Sequence, residues 1–300
     1  MLRIATRGSA LARWQAEHIA ELLRAHDPAL AVELVVIQTT ADRRLDVPIW
    51  EMGGKGVFVK EVQAAVLDGR ADIAVHSAKD LPSTPFAGLA LACVPERGDA
   101  RDALVGCRLA DLRPGAIVGT GSARRRAQLV DLRPDLTFTG LRGNMQTRLE
   151  RAAHVDAVVV AAVALERLGL GDRIAEVLPA HVLLPQVGQG ALAVECRRDD
   201  DGTRARLLAV EHPESRRRID AERAFLAELG GDCDLPAGAH ATRPQPEGPL
   251  VLDALLASLD GRIVLRHRVE GLDADPAELG TSAARHLLDV AGGRELLQTR

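Results

Sequence analysis

An α/β chain of more than one domain, closed by a smaller α+β unit, is predicted by three features of the sequence. Strand and helix patterns alternate over the first two-thirds, the alternation restarts after "PERGDARD", and from about residue 213 the grammar changes to a long helix, a hairpin and a last helix. Alternation of this kind builds sheets with parallel pairing and covering helices. Three hundred residues with 47% apolar content are too many for one small domain and ample for real cores.

The elements follow in order. "LRIAT" reads as a strand, Ser9 as a helix N-cap, and Leu11, Trp14, Ile19, Leu22 and Leu23 recur at helical spacing up to "HDP". "AVELVVIQT" is the next strand. The polar, glycine-containing run "TADRRLDVPIWEMGGKGVFVKE" reads as a mobile loop. A helix through "VKEVQAAVLDGR" follows, then "ADIAVHSAKDLPS", a buried strand entering a loop. The second round comprises "GAIVGTGSARRRAQL", "LTFTGLRGNMQTRLERA" and "VDAVVVAAVALERLGL". "LLPQVGQGALAVECR" is a Gly-x-Gly hinge into an apolar strand, where the chain crosses back to its first domain. "PESRRRIDAERAFLAEL" is one helix stopped by Gly230-Gly231. A hairpin with an Asp-Gly turn and an amphipathic helix over 276–291 complete the chain. The expected domains are 1–95 with 191–211, 100–187, and 213–300.

Several function classes are disfavoured at once. A net charge of −4 leaves no global footprint for nucleic acid or an anionic membrane. No apolar run reaches the length of a membrane span, and the N-terminus has no secretory pattern, so the expected compartment is the cytoplasm. The four cysteines (Cys93, Cys107, Cys196, Cys233) form no C-x-x-C pair and no metal spacing. "EMGGKGV" is no P-loop, and "GQGALA" precedes a strand where a dinucleotide fingerprint would follow one.

The positive signal lies at strand-to-helix junctions. Arg7 follows the first strand, Arg124, Arg125 and Arg126 open the helix after "IVGTGS", Arg142 closes "FTGLRG", and Arg148 comes one turn later. Ligands of open α/β sheets bind beyond the carboxyl ends of strands, where helix N-termini add positive field. Guanidiniums there suit a ligand with several carboxylates or phosphates. Lys79 and Asp80 lie just past a buried strand; the carboxylate could take a proton, stabilise a cation or accept loop amide hydrogen bonds. His76 reads as a hydrogen-bonded strand-end residue. Of 38 basic residues only Lys55, Lys60 and Lys79 are lysine, which hints that a compact ammonium is wanted there. Cys233 stands between Asp232 and Asp234, a setting that opposes a fast thiolate.

The blocks "RIATRGSALA", "GGKGVFVKE", "ADIAVHSAKDLPS", "GTGSARR", "LRGNMQTRL", "LERLGL", "LPQVGQGALAVECR" and "ERAFLAELGGDCDLP" occur in an order that resembles the porphobilinogen deaminase (hydroxymethylbilane synthase) family. The resemblance is dense over residues 1–240 and loose over the last 60. It implies two domains like type II periplasmic binding proteins plus a third, α+β domain. It also implies a dipyrromethane attached once, through a thioether to Cys233, so that no steady thiolate is needed. Porphobilinogen would lose ammonia to give a cationic electrophile. Four units would be joined in turn to this primer, and 1-hydroxymethylbilane released by hydrolysis. Asp80 would be the catalytic anion. Lys79, Ser122, Arg124 and Arg125 match cofactor-binding positions, and Arg7, Ser9, Arg142, Arg148 and Arg167 match substrate-binding ones. Lys55 and Phe58 fall in the family's active-site loop. A monomer without metal, nucleic acid or membrane partner is implied. Asp232, Gly121 and Ala164 depart from the family pattern, where Gly, Ser and Gly are usual. The competing readings are a non-catalytic two-lobed anion-binding protein and a phosphate-ligand transferase.

Overall fold

The computed structural model describes residues 1–39, 59–141, 143–231, 235–272 and 275–298. Up to residue 98 the elements are β1 (Leu2–Arg7), α1 (Ala10–His26), β2 (Val32–Ile37), α2 (Lys60–Leu67), β3 (Ile73–Ser77) and β4 (Leu89–Cys93). Then come β5 (Asp102–Val105), β6 (Ile117–Gly119), α3 (Ala123–Leu132), β7 (Thr137–Thr139), α4 (Met145–Arg151), β8 (Ala157–Ala161), α5 (Ala162–Glu166) and β9 (Ile174–Leu178). The remainder holds β10 (Leu192–Arg197), α6 (Asp201–Leu208), α7 (Pro213–Glu228), β11 (Ala237–Thr242), β12 (Leu250–Ala257), β13 (Val264–Gly271), α8 (Pro276–Arg285) and α9 (Gly293–Gln298).

Two compact units result. The first is Met1–Gly98 with Ala191–Arg216, the second Asp99–Gly190 with Arg217–Arg300, and the division falls inside the first turns of α7. The first unit's sheet has the order β2-β1-β3-β10-β4. Strands β1, β2 and β3 pair in parallel, whereas β10 runs antiparallel to both β3 and β4. In the second unit the order β7-β6-β8-β5-β9 repeats this plan, with β5 as the antiparallel insert. The expected parallel pairing is present in both sheets, and each sheet also takes one antiparallel strand. Each inserted strand follows a change of unit along the chain, so it enters its sheet from the opposite end. Two lobes built this way are of the type II periplasmic binding protein kind.

Burial follows from the patterns, with one shift. On α1 the Ser9 hydroxyl accepts the Ala12 amide, and the covered stripe is Gln15, Ala16, Ile19, Ala20 and Leu23. Trp14, expected on that face, instead stacks on His18 with ring centroids 5.0 Å apart. Ile4, Ile19, Ile73, Leu192 and Val194 form one core of the first unit. Leu104, Val118, Leu129, Val159 and Leu178 form a core of the second.

The second unit also holds an antiparallel sheet, β11-β12-β13, packed on α7 and α8 around the fully buried Phe225. The strand β11 escaped the sequence reading, because "AGAHAT" carries no run of β-branched or aromatic residues. The last helix does not run unbroken over 276–291: α8 passes into a π-helical turn at His286–Val290, and α9 starts after Gly292. Helices α7 and α8 cross closely at Gly280, where a β-carbon would strike the Ala221 carbonyl oxygen and come within 2.8 Å of the Phe225 amide nitrogen. Both obstacles are backbone, so the crossing cannot yield locally. Gly280→Ala is expected to lower unfolding free energy by about 3 kcal/mol, read as a reduced urea midpoint at unchanged slope; an unchanged midpoint would refute this packing account.

Candidate active site

Parallel strands bring their carboxyl ends to one edge of each sheet, and several of the sequence-predicted residues follow those ends. In the first unit Arg7 is the last residue of β1 and Ser9 caps α1. Lys79 and Asp80, both half-buried, lie on a single 3-10 turn directly after β3. That turn is pinned from two sides. The Ala78 amide donates to the Ala191 carbonyl (3.0 Å), and the buried Gln15 donates through Nε2 to Ser77 Oγ (2.8 Å). The hydrogen bond from Gln15 ties the turn to the helix that Ser9 opens.

Below the turn lies a polar cluster that sequence reasoning missed. Glu195 on β10 accepts from Gln63 Nε2 of α2 at 2.8 Å, and His76 Nε2 of β3 stands 3.2 Å from the same carboxylate oxygen. All three side chains are buried. Buried carboxylates persist only with such partners, so the three elements are held together by a shared charge. His76 thus has a packing role, in line with its reading as a strand-end residue.

In the second unit Ser122 caps α3, its hydroxyl accepting the Arg125 amide. Gly121 precedes it, and a β-carbon there would sit 2.6 Å from the Leu141 carbonyl oxygen. The close passage of these two loops accounts for the glycine at 121. Arg124 and Arg125 are almost wholly buried, 2% and 7% exposed, and their forks close on Asp102, a residue the sequence reading did not select. Arg124 Nη2 donates to Oδ2 at 2.7 Å; Arg125 donates to Oδ1 through Nη2 (2.6 Å) and Nε (3.1 Å). Arg124 also donates to the Leu184 carbonyl and Arg125 to that of Val159. Burial alone would raise the Asp102 carboxyl, but the two guanidiniums outweigh it and hold it well below the usual carboxylate range. The contribution of this carboxylate to stability is therefore complete above about pH 4 and is lost as pH falls through its depressed folded value.

Arg148 lies in the second turn of α4, its Nε donating to the Gly143 carbonyl at 3.0 Å. Arg167 follows α5 and donates to the Gly190 carbonyl at 2.7 Å. Burial pushes its guanidinium down to about 10, offset only partly by Glu166. Gly190 closes the hinge triplet, whose two glycines both have positive φ (75° and 88°). Gln189 between them donates to Asp102 Oδ1 (2.8 Å) and the Ala100 carbonyl (2.7 Å). Glu222, fully buried on α7, accepts the amides of Gly188 (2.7 Å) and Ala241 (2.8 Å). Lys55, Phe58, Arg142, Asp232 and Cys233 lie outside the described residues. Among the described residues no cluster of three or more His, Cys, Asp or Glu side chains could hold a metal ion.

Each α/β lobe thus carries cations after its strand ends, and the first adds a carboxylate on a pinned turn. Residues 2–205 match the family model of the porphobilinogen deaminase dipyrromethane cofactor binding domain, and residues 217–289 that of the porphobilinogen deaminase C-terminal domain. The chain belongs to the porphobilinogen deaminase family. It is 44% identical over 302 residues to the porphobilinogen deaminase of Syntrophus aciditrophicus, covering 99% of this chain and 98% of that one. The Geobacter metallireducens porphobilinogen deaminase is 43% identical, covering 99% and 93% respectively. A fainter likeness links the chain to the Bordetella pertussis BvgS periplasmic VFT2 domain (17% identity, TM-score 0.41, 70% of this chain and 86% of that chain).

The remaining thiols bear on the cysteine question. Cys93 and Cys196 are buried and free. Burial raises both, Cys196 to about 11 and Cys93 further with help from Glu211. At pH 8 a thiol of pKa 11 is roughly 0.1% thiolate. Native protein treated with iodoacetamide at pH 8 is expected to leave Cys93 and Cys196 unmodified, with Cys196 labelling rising tenfold per pH unit toward 11. Rapid labelling of either at pH 8 in the folded state would contradict their burial.

Proposed function

We propose that in this member of the family Cys233 carries the dipyrromethane, Asp80 is the catalytic carboxylate, and the junction cations bind the carboxylates of the growing chain. The activity is that of a hydroxymethylbilane synthase: four porphobilinogen units are deaminated and condensed, and the linear tetrapyrrole is released by hydrolysis. The observation that supports the residue assignment is that Asp80 in the first unit and Arg124 and Arg125 in the second each follow a strand's carboxyl end, within lobes of like topology.

The residues present fit a polycarboxylate group. Arg124 Nε is buried with no hydrogen-bond partner among the described residues, and an incoming carboxylate suits it. Each pyrrole carries an acetate and a propionate, so Ser122, Lys79, Arg124 and Arg125 would hold the cofactor, with Arg7, Ser9, Arg142, Arg148 and Arg167 holding substrate units. When bound, the dipyrromethane supplies the free pyrrole α-carbon to which units are joined.

Asp80 acts by charge. As ammonia leaves porphobilinogen, positive charge spreads over the pyrrole, and a fixed carboxylate near its N–H stabilises that charge without reorganising. The pins on Ser77 and Ala78 support this role, because a preorganised anion must not swing with its turn. Lys55 and Phe58 would belong to the loop over the site. The domains are read as 1–95 with 191–211, 100–187, and 213–300, the last carrying the cysteine loop. A monomer of the cytoplasm with no nucleic-acid or membrane partner rests on the family likeness.

Intact mass of the purified chain under denaturing conditions is expected to exceed the sequence mass by two pyrrole units, with the adduct mapped to the Cys233 peptide and missing from Cys233→Ser. An adduct on another cysteine would move the attachment site. Asp80→Asn is expected to keep the adduct and the melting temperature while turnover falls about 10²–10³-fold; near-parental turnover would remove Asp80 from the chemistry.

A further inference from the structure

We propose that Asp102 is a positioning residue: it aims Arg124 and Arg125 at the dipyrromethane carboxylates and is required for primer loading. This rests on the functional reading above.

Asp102 is the first residue of β5, fully buried between β8 and β9, opposite Ala161 and Leu178. A carboxylate there has no route to water and must be satisfied by protein. Four donor groups meet it, and they are divided: Oδ2 takes Arg124, while Oδ1 takes Arg125 and Gln189. Each guanidinium therefore has its own oxygen, which fixes the rotation of both. Neighbours in sequence and alike in charge, the two forks would otherwise repel and turn apart.

The cluster is not balanced as a structural ion pair would be. One carboxylate faces two guanidiniums, leaving an excess of one positive charge in a buried place. Donors are also in excess, because Arg124 Nε is buried without a partner. Arg124 lines a small cavity of about 10 Å³ with Ser122, Gln186, Val187, Leu235 and Ala237. The unfilled donor and the surplus charge thus meet at one cavity of the second unit. A site short of one anion, held in shape by another anion, is built to be completed by a ligand carboxylate.

The test uses full-length parent, Asp102→Asn and Asp102→Glu, incubated with porphobilinogen and weighed intact. Loading is scored as the fraction of folded chains that gain two pyrrole units, with folding followed by near-UV circular dichroism. Asp102→Asn keeps the shape and removes the charge; folded molecules are expected to load at least about tenfold more slowly than the parent. Folded Asp102→Asn loading at the parental rate overturns the proposal and leaves Asp102 as a structural group only. Should Asp102→Asn fail to fold, Asp102→Glu decides: it keeps the charge on an arm one methylene longer, displaces both forks, and is expected to slow loading in the same way. Parental loading by folded Asp102→Glu then overturns the proposal. A parent that neither carries nor gains the adduct would defeat the functional reading itself.

Discussion

A parallel strand can only end where its neighbours end, and this constraint organises the molecule. In both units β-strands of like direction deliver their carboxyl termini to one sheet edge, and the segments after β1, β3, β6, β7 and β8 lead into a helix or a 3-10 turn. Helix-opening amides already favour anions at such an edge. Arginine and lysine side chains then need no special loops to reach such an edge; the sheet delivers them. The antiparallel strands β5 and β10 are the exceptions, and they bring the opposite kind of residue, Asp102 and Glu195, into the same sheets.

Those two carboxylates show how the site is kept in shape. Glu195 on β10 joins β3 to α2, and Asp102 joins α3 to the Gly-x-Gly segment through Gln189. Glu222 adds a third link by accepting amides from both the hinge and β11. Each is buried and would be costly if left unpaired, about 3–5 kcal/mol when one partner of an ion pair is removed. Their cost is also their precision, since a buried charge tolerates few arrangements of its donors.

The lobes and the junction arginines were legible in the sequence because both depend on local order: an apolar strand, a turn, a capping Ser9 or Ser122, then basic residues. What was not legible depends on pairs far apart in the chain. Nothing near "RDALV" announces that Asp102 meets Arg124, Arg125 and Gln189, and nothing in "ALAVECR" marks Glu195 as the partner of Gln63, 132 residues away. Strand β11 was missed for another reason, its small residues being chosen for close packing and not for strand propensity. The break in the last helix has no signal in its apolar pattern, since His286–Val290 continues the spacing while its hydrogen bonds widen to a π turn.

Gly121 also couples two loops that are distant in sequence. With the Leu141 carbonyl 2.6 Å from where a β-carbon would sit, any side chain at 121 and the present path of residue 141 exclude each other. A substitution at 121 is accommodated only together with a shift of the second loop, so changes at the two positions are not additive and the pair behaves as one unit.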